Sequence, residues 1–91
     1  MYYTYILFSE KDNKLYAGYT PDLKQRIDKH QNGFVRATKF RRPLKLIYYE
    51  SYLSKTDARK REVYLKGGKG KSELKIQLSD TYKQIDYKQR L

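Results

Sequence analysis

From Tyr2 to Tyr19 the chain reads as a strand that turns back on itself, and this fixes where everything after it can pack. Tyr2 to Phe8 is rich in aromatic and β-branched residues and reads as a strand. The stretch SEKDN supplies turn residues, and Lys14 to Tyr19 reads as the return strand, with Tyr-Ala-Gly at 16–18. With Phe8 set opposite Asn13, Tyr5 faces Tyr16 and Tyr3 faces Gly18. Period-2 alternation then puts Tyr5 and Tyr16 on one face of the sheet.

The next segment, TPDLKQRIDKHQNG, carries helix signals at both ends. Thr20 is placed to cap it, Pro21 to occupy the first helical position, and Asp22 to complement the dipole. Asn32-Gly33 supplies the stop. The apolar stripe is thin, Leu23 and Ile27, and Arg26 and His30 fall beside it rather than opposite it. These two are four residues apart, so they are neighbours on the helix surface and point toward the sheet or its rim.

FVRATKFRRP has no periodic signal and reads as a basic loop carrying Arg36, Lys39, Arg41 and Arg42. LKLIYYESY, after Pro43, is a third strand. SKTDARKREVYLKGG is a second helix, with Ser54 and Asp57 resembling a capping box and Gly67 as its stop. Ala58, Glu62 and Leu65 share one side of that helix, so Glu62 lies within its apolar stripe. GGKGKS reads as a flexible basic link presenting Lys69 and Lys71, followed by a short helix, SELKIQL, capped by Ser72. The expected architecture is an α/β (α+β) domain: a small three-stranded antiparallel sheet flanked by helices, in the order β-β-α-β-α-α. It spans 1–80, followed by a polar tail over 81–91.

Composition narrows the partner. The 91 residues carry 21 Lys and Arg against 10 Asp and Glu, a net charge of +11. Such an excess favours an anionic partner, nucleic acid first, because Lys and Arg neutralise phosphates and release counterions. No stretch has the length or apolarity of a spanning helix or a signal peptide, so no membrane association and a cytoplasmic location are expected. The chain has no cysteine and a single histidine, which excludes disulfides, thiolate zinc sites and multi-histidine metal sites. A metal would have to sit on carboxylate and water, as Mg²⁺ or Mn²⁺ does.

Two phenols on a sheet face, an arginine and a histidine on one helix and a carboxylate on another could supply the parts of phosphodiester cleavage. Those parts are a base for water, a cation for the developing charge and a ligand for a metal. Each residue also has a structural reading. Tyr5 and Tyr16 could be packing residues, and a free phenol, with a pKa of ~10, is a poor base at neutral pH. Arg26 could be a solvated surface charge, His30 a helix C-terminal residue favoured by the dipole, and Glu62 an ion-pair partner of a neighbouring Arg or Lys. GGKGKS does not make a phosphate loop, because the first glycine such a loop needs would fall on Leu65.

Tyr3-Thr4-Tyr5, Tyr16-Ala17-Gly18, LKQRIDKH and ARKRE, in that order and spacing, resemble the GIY-YIG nuclease superfamily from about Tyr2 to about Leu78. The similarity is to its small single-domain members and to the nuclease domain of structure-specific endonucleases. Both tripeptides are degenerate: Tyr3-Thr4 stands where the family name has Gly-Ile, and Ala17 where it has Ile. The resemblance implies a metal-dependent DNA endonuclease. Tyr16 would act as base or position the attacking water, and Tyr5 would orient water and phosphate. Arg26 would bind the scissile phosphate, His30 would assist proton transfer, and Glu62 would be the protein ligand of one Mg²⁺ or Mn²⁺. Arg36, Lys39, Arg41, Arg42, Lys69 and Lys71 would contact DNA. Many family members carry an asparagine after the last core element; none stands near Leu74, where Lys69, Lys71 and Ser72 are the residues at hand. The residues alone leave two other readings open: a nucleic-acid-binding module without catalysis, and a nuclease that needs a protein partner.

Overall fold

The opening hairpin forms with a wider turn than the sequence suggests. In the computed structural model, which describes residues 1–85, β1 (Tyr2–Ser9) pairs antiparallel with β2 (Leu15–Thr20), and Tyr5 faces Gly18 while Leu7 faces Tyr16. The register therefore differs by two residues from the expected one. The reason lies in Ser9. Its backbone N–H donates to Lys14 O and its carbonyl accepts from Asn13, while its hydroxyl accepts from the amides of Lys11 and Asp12. Asn13 takes a left-handed conformation, φ 59°, which asparagine tolerates. A shift of two preserves the face of every side chain, so Tyr5 and Tyr16 still share one.

The third strand, β3 (Leu44–Tyr52), pairs antiparallel with the other edge of β1, giving the order β2-β1-β3. With β1 central, both of its faces are covered, and Thr4 to Ser9 are all buried. On one face Tyr5, Leu7 and Leu44 pack with Tyr16, Leu46 and the stripe of Leu23 and Ile27 from α1 (Leu23–Gln31). On the other, Ile6 and Ala17 pack with Leu65 of α2 (Lys55–Lys66), Leu74 of α3 (Gly68–Gln77), Leu78, and Tyr82 of α4 (Ser79–Gln84). The result is the expected sheet between helices.

Helix α1 starts later than expected. Thr20 ends β2, and its hydroxyl accepts from the Asp22 amide; Asp22 is the cap, its carboxylate accepting from Gln25 N at 3.1 Å. At the other end Asn32 and Gly33 (φ +79°) stop the helix as read. Ser54 caps α2 by accepting from Asp57 N, and Gly67 ends it, also as read.

GGKGKS is not a flexible link. Helix α3 begins at Gly68 and takes in all of it after the capping Gly67, so Ser72 lies inside the helix and not at its cap, and Gly70 is buried against α2. A Cβ at Gly70 would come within 2.1 Å of Tyr64 O, so the glycine is what lets the two helices meet. Residues 81–84, expected to begin the polar tail, belong to α4, which buries Tyr82; positions 86–91 of that expected tail lie outside the described residues. An ionic cluster secures α2. Arg61 donates to Glu50 of β3 at 3.0 Å and to Glu73 of α3 at 2.9 Å, and the Tyr48 and Tyr52 hydroxyls donate to Glu50.

Candidate active site

The candidate site begins at Gly18. A Cβ there would lie 2.3 Å from Tyr5 Cζ and 2.4 Å from its hydroxyl, so the Tyr5 ring crosses β2 over the one residue that leaves room for it. The tripeptide Tyr-Ala-Gly is legible position by position: Tyr16 stands on the face of Tyr5, Ala17 faces the opposite core cluster, and Gly18 admits the ring.

The last turn of α1 brings His30 against that ring. His30 is fully buried, and its Nε2 lies 2.7 Å from the Tyr5 hydroxyl. Its Nδ1 lies 2.7 Å from the hydroxyl of Thr38, in the loop between α1 and β3. The Tyr16 ring packs edge-on against His30, with centroids 5.3 Å apart, and 6.4 Å from the Tyr5 ring. Burial, with a smaller contribution from the charge of Arg26, lowers the His30 pKa to about 4, so the imidazole is neutral at physiological pH. It then donates through one nitrogen and accepts through the other, and Thr38 can serve either tautomer. Burial likewise raises the Tyr5 phenol to about 12, opposed by the neighbouring Arg26. Tyr5 therefore stays protonated, a hydrogen-bonding group and not a base.

Arg26, one turn before His30 on α1, is half-buried beside Tyr5. Its Nε is buried and has no hydrogen-bond partner among the described residues. Glu62, on α2, lies near enough for its charge to act on Tyr5. Its side chain is 18% exposed, and its carboxylate pairs with Lys66 at 3.0 Å, one turn on along α2; Lys66 is itself half exposed. Tyr16, Lys66 and Lys71 line a cavity of about 590 Å³ floored by Ala17, Leu65 and Leu74. The structure thus brings Tyr5, Tyr16, Arg26 and His30 together, with Glu62 within electrostatic reach.

The basic residues divide. Arg36, Lys39, Lys69 and Lys71 are exposed. Arg41 is committed within the protein: its Nε donates to Asp12 at 2.6 Å, holding that carboxyl down at about 2, and its Nη2 reaches Leu15 O. Arg42 donates to the carbonyls of Lys39 and Gln31 and lies over Gly33. Thr38 is the site residue that sequence reasoning missed. It sits in a loop without periodicity, and nothing local distinguishes a threonine that meets a histidine eight positions earlier.

Residues 1–75 match the GIY-YIG catalytic domain family. The chain is similar to a UPF0213 protein of Clostridium perfringens, 37% identical over 92 residues that cover 100% of this chain and 98% of that one. It is also similar to a UPF0213 protein of Staphylococcus saprophyticus, 42% identical over 76 residues, 82% of this chain and 92% of that one. No solved structure matches it. By the family match over most of its length, and by relatives that align with it nearly end to end, the chain belongs to the GIY-YIG family, a nuclease superfamily.

Proposed function

We propose that this chain is a divalent-metal-dependent DNA endonuclease that hydrolyses phosphodiester bonds. The observation that carries the reading is the neutral, buried Tyr5–His30 pair beside Arg26, whose inner Nε is left without a partner. Hydrolysis builds negative charge on the phosphate, and a half-buried guanidinium is suited to receive it. Tyr5 remains protonated and orients the attacking water or a phosphate oxygen. His30 fixes the Tyr5 hydroxyl, and its neutral form can pass a proton in either direction. Tyr16 is the phenol of the pair that solvent reaches; once its own proton has gone to solvent, its phenolate is the group we assign to take the proton from water.

The metal would be held by Glu62. Among the described residues no group of three His, Cys, Asp or Glu side chains gathers. A lone, partly buried carboxylate suits Mg²⁺ or Mn²⁺, which keep most of their waters. When bound, the ion would polarise the phosphate and stabilise charge on the leaving oxygen. Lys66, half exposed, is free to swing toward solvent as the carboxylate is claimed.

The test is nicking of labelled DNA by purified protein with Mg²⁺ or Mn²⁺. We expect EDTA to abolish it, and Tyr16→Phe to reduce it on the order of 10²-fold or more while DNA binding persists. Binding without cutting under every metal condition would make the chain a nucleic-acid-binding module. Cutting only after a cell extract is added would make it a partner-dependent nuclease.

A further inference from the structure

The loop between α1 and β3 exposes two large rings with no packing role. Phe34 is 77% exposed and Phe40 is 76% exposed. The loop itself is anchored, since Val35 and Thr38 within it are buried and Lys39–Arg41 forms a 3₁₀ turn. Exposed rings on an anchored loop mark a surface that meets something. Residues 34–43 contain four Arg or Lys and no acidic residue, so that partner is anionic. Phe40 and Pro43 also wall a shallow cavity of about 430 Å³, edged by Lys11, Lys39, Arg42 and the Gln31 amide. Lys39 Nζ already lies 5.4 Å from the Phe40 ring centre. Lys11 and Lys39 have no ion pair among the described residues.

We propose that this loop is a binding site for the unpaired bases of a single-stranded or branched nucleic acid, stacked on Phe40 and Phe34 while their phosphates meet Lys11, Lys39 and Arg36. Flat apolar faces and anionic linkers occur together in unpaired nucleotides; in blunt duplex the base faces are hidden. The cavity offers the pieces such a nucleotide needs: an aromatic and a prolyl wall, cations for phosphate, and an amide for a base edge. Thr38, two residues before Phe40, is the residue that meets His30, so the loop that presents the rings also carries a contact of the candidate active site. The proposal rests on the reading of DNA as substrate and adds which DNA is held.

The test is binding in EDTA, where no cleavage occurs. The wild-type chain contains no tryptophan, so Phe40→Trp supplies a single reporter. Stacking predicts that a short oligothymidylate quenches its fluorescence and that blunt duplex does not. The double variant Phe34→Ala, Phe40→Ala should bind a single strand, or a duplex with a single-stranded arm, ~10-fold or more weakly, with blunt-duplex binding and thermal melting unchanged. Equal losses on both kinds of DNA, or an unquenched tryptophan at saturation, overturn the proposal. So does a dimer in sedimentation that the double variant dissolves, because the rings would then serve a protein contact. Failure of metal-dependent nicking with these binding results intact would sink the nuclease reading and leave this site standing. Nicking with indifferent binding would do the reverse.

Discussion

Tyr5 and His30 meet hydroxyl to Nε2 at 2.7 Å with both side chains buried, and the histidine is uncharged there. This makes stability depend on pH. The unfolded imidazole titrates near ~6.5 and the folded one at about 4. Between those values the unfolded chain binds a proton that the native one does not, so stability is full above the upper value and falls as pH drops toward the lower. A loss on the order of 1–3 kcal/mol is expected across the window. The Asp12–Arg41 pair is lost at lower pH still, because that carboxyl sits at about 2. Melting temperatures from pH 7.5 down to pH 5 check this: the wild type should fall, and His30→Gln, which cannot take up the proton, should stay nearly flat.

Thr38 should behave as a positioning residue. Thr38→Val keeps the shape and removes the hydroxyl at His30 Nδ1, leaving a buried polar atom unpaired at a cost of about 1–3 kcal/mol. Thr38→Ser restores the hydroxyl. If Thr38 acts through His30, valine lowers cleavage beyond what the loss of folded protein explains, and serine recovers it. A valine variant that melts early but cuts normally once folded would make Thr38 structural only.

Most of the fold was legible in the sequence because the signals that mark it are local. The hairpin, both ends of α2, the end of α1 and the third strand rest on caps, turns and alternation within a few residues. What failed depends on contacts between elements. The Ser9 side chain set the hairpin register through backbone groups across the turn. Gly70 reads as a flexible link until α2 is seen to need its missing Cβ. Tyr82 lies in a polar segment, and only the core cluster on the far face of the sheet makes it a core residue. In the site, Tyr5, Tyr16, Arg26 and His30 could be gathered from strand and helix periods. Thr38 could not, and neither could the commitment of Arg41 to Asp12 across 29 positions.

Gly18→Ala tests whether the Tyr5 ring must lie where it does. The added methyl would meet the ring at 2.3 Å, and the ring cannot move without breaking its bond to His30. We expect destabilisation of about 1–3 kcal/mol, the usual cost of overpacking, together with loss of cleavage in the fraction that remains folded. Tyr5→Leu in the same background should relieve the clash and recover part of the stability without recovering activity. An alanine variant of wild-type stability and activity would show that the ring can shift freely.

Basic residues that look alike in the sequence should separate in experiment. Arg36→Ala and Lys39→Ala should weaken binding to all DNA sequences about equally, each lowering the log–log salt slope by ~1. Arg41→Ala should instead act on the fold, because it releases the hairpin turn at Asp12 and Leu15. Its expected signature is a lower melting temperature with a nearly unchanged salt slope. A reduced slope at unaltered stability would return Arg41 to the DNA surface.

Glu62 decides the metal. Its observed partner is Lys66, one turn away and half exposed, and pairs of this kind contribute only about 0.3–0.5 kcal/mol. Glu62→Gln should therefore barely change melting in EDTA. On the proposed reading it also removes a negative charge from the place that would hold metal beside phosphate, so DNA binding should persist or tighten. Cleavage should be lost even at high Mn²⁺. Lys66→Met is the control, since it breaks the same ion pair from the other side. If the pair were the whole role of Glu62, the two variants would behave alike; if Glu62 holds the ion, Lys66→Met keeps cutting and Glu62→Gln does not. A Glu62→Gln protein that melts markedly earlier yet still nicks DNA would make this carboxylate a structural residue and remove the metal from the proposed mechanism.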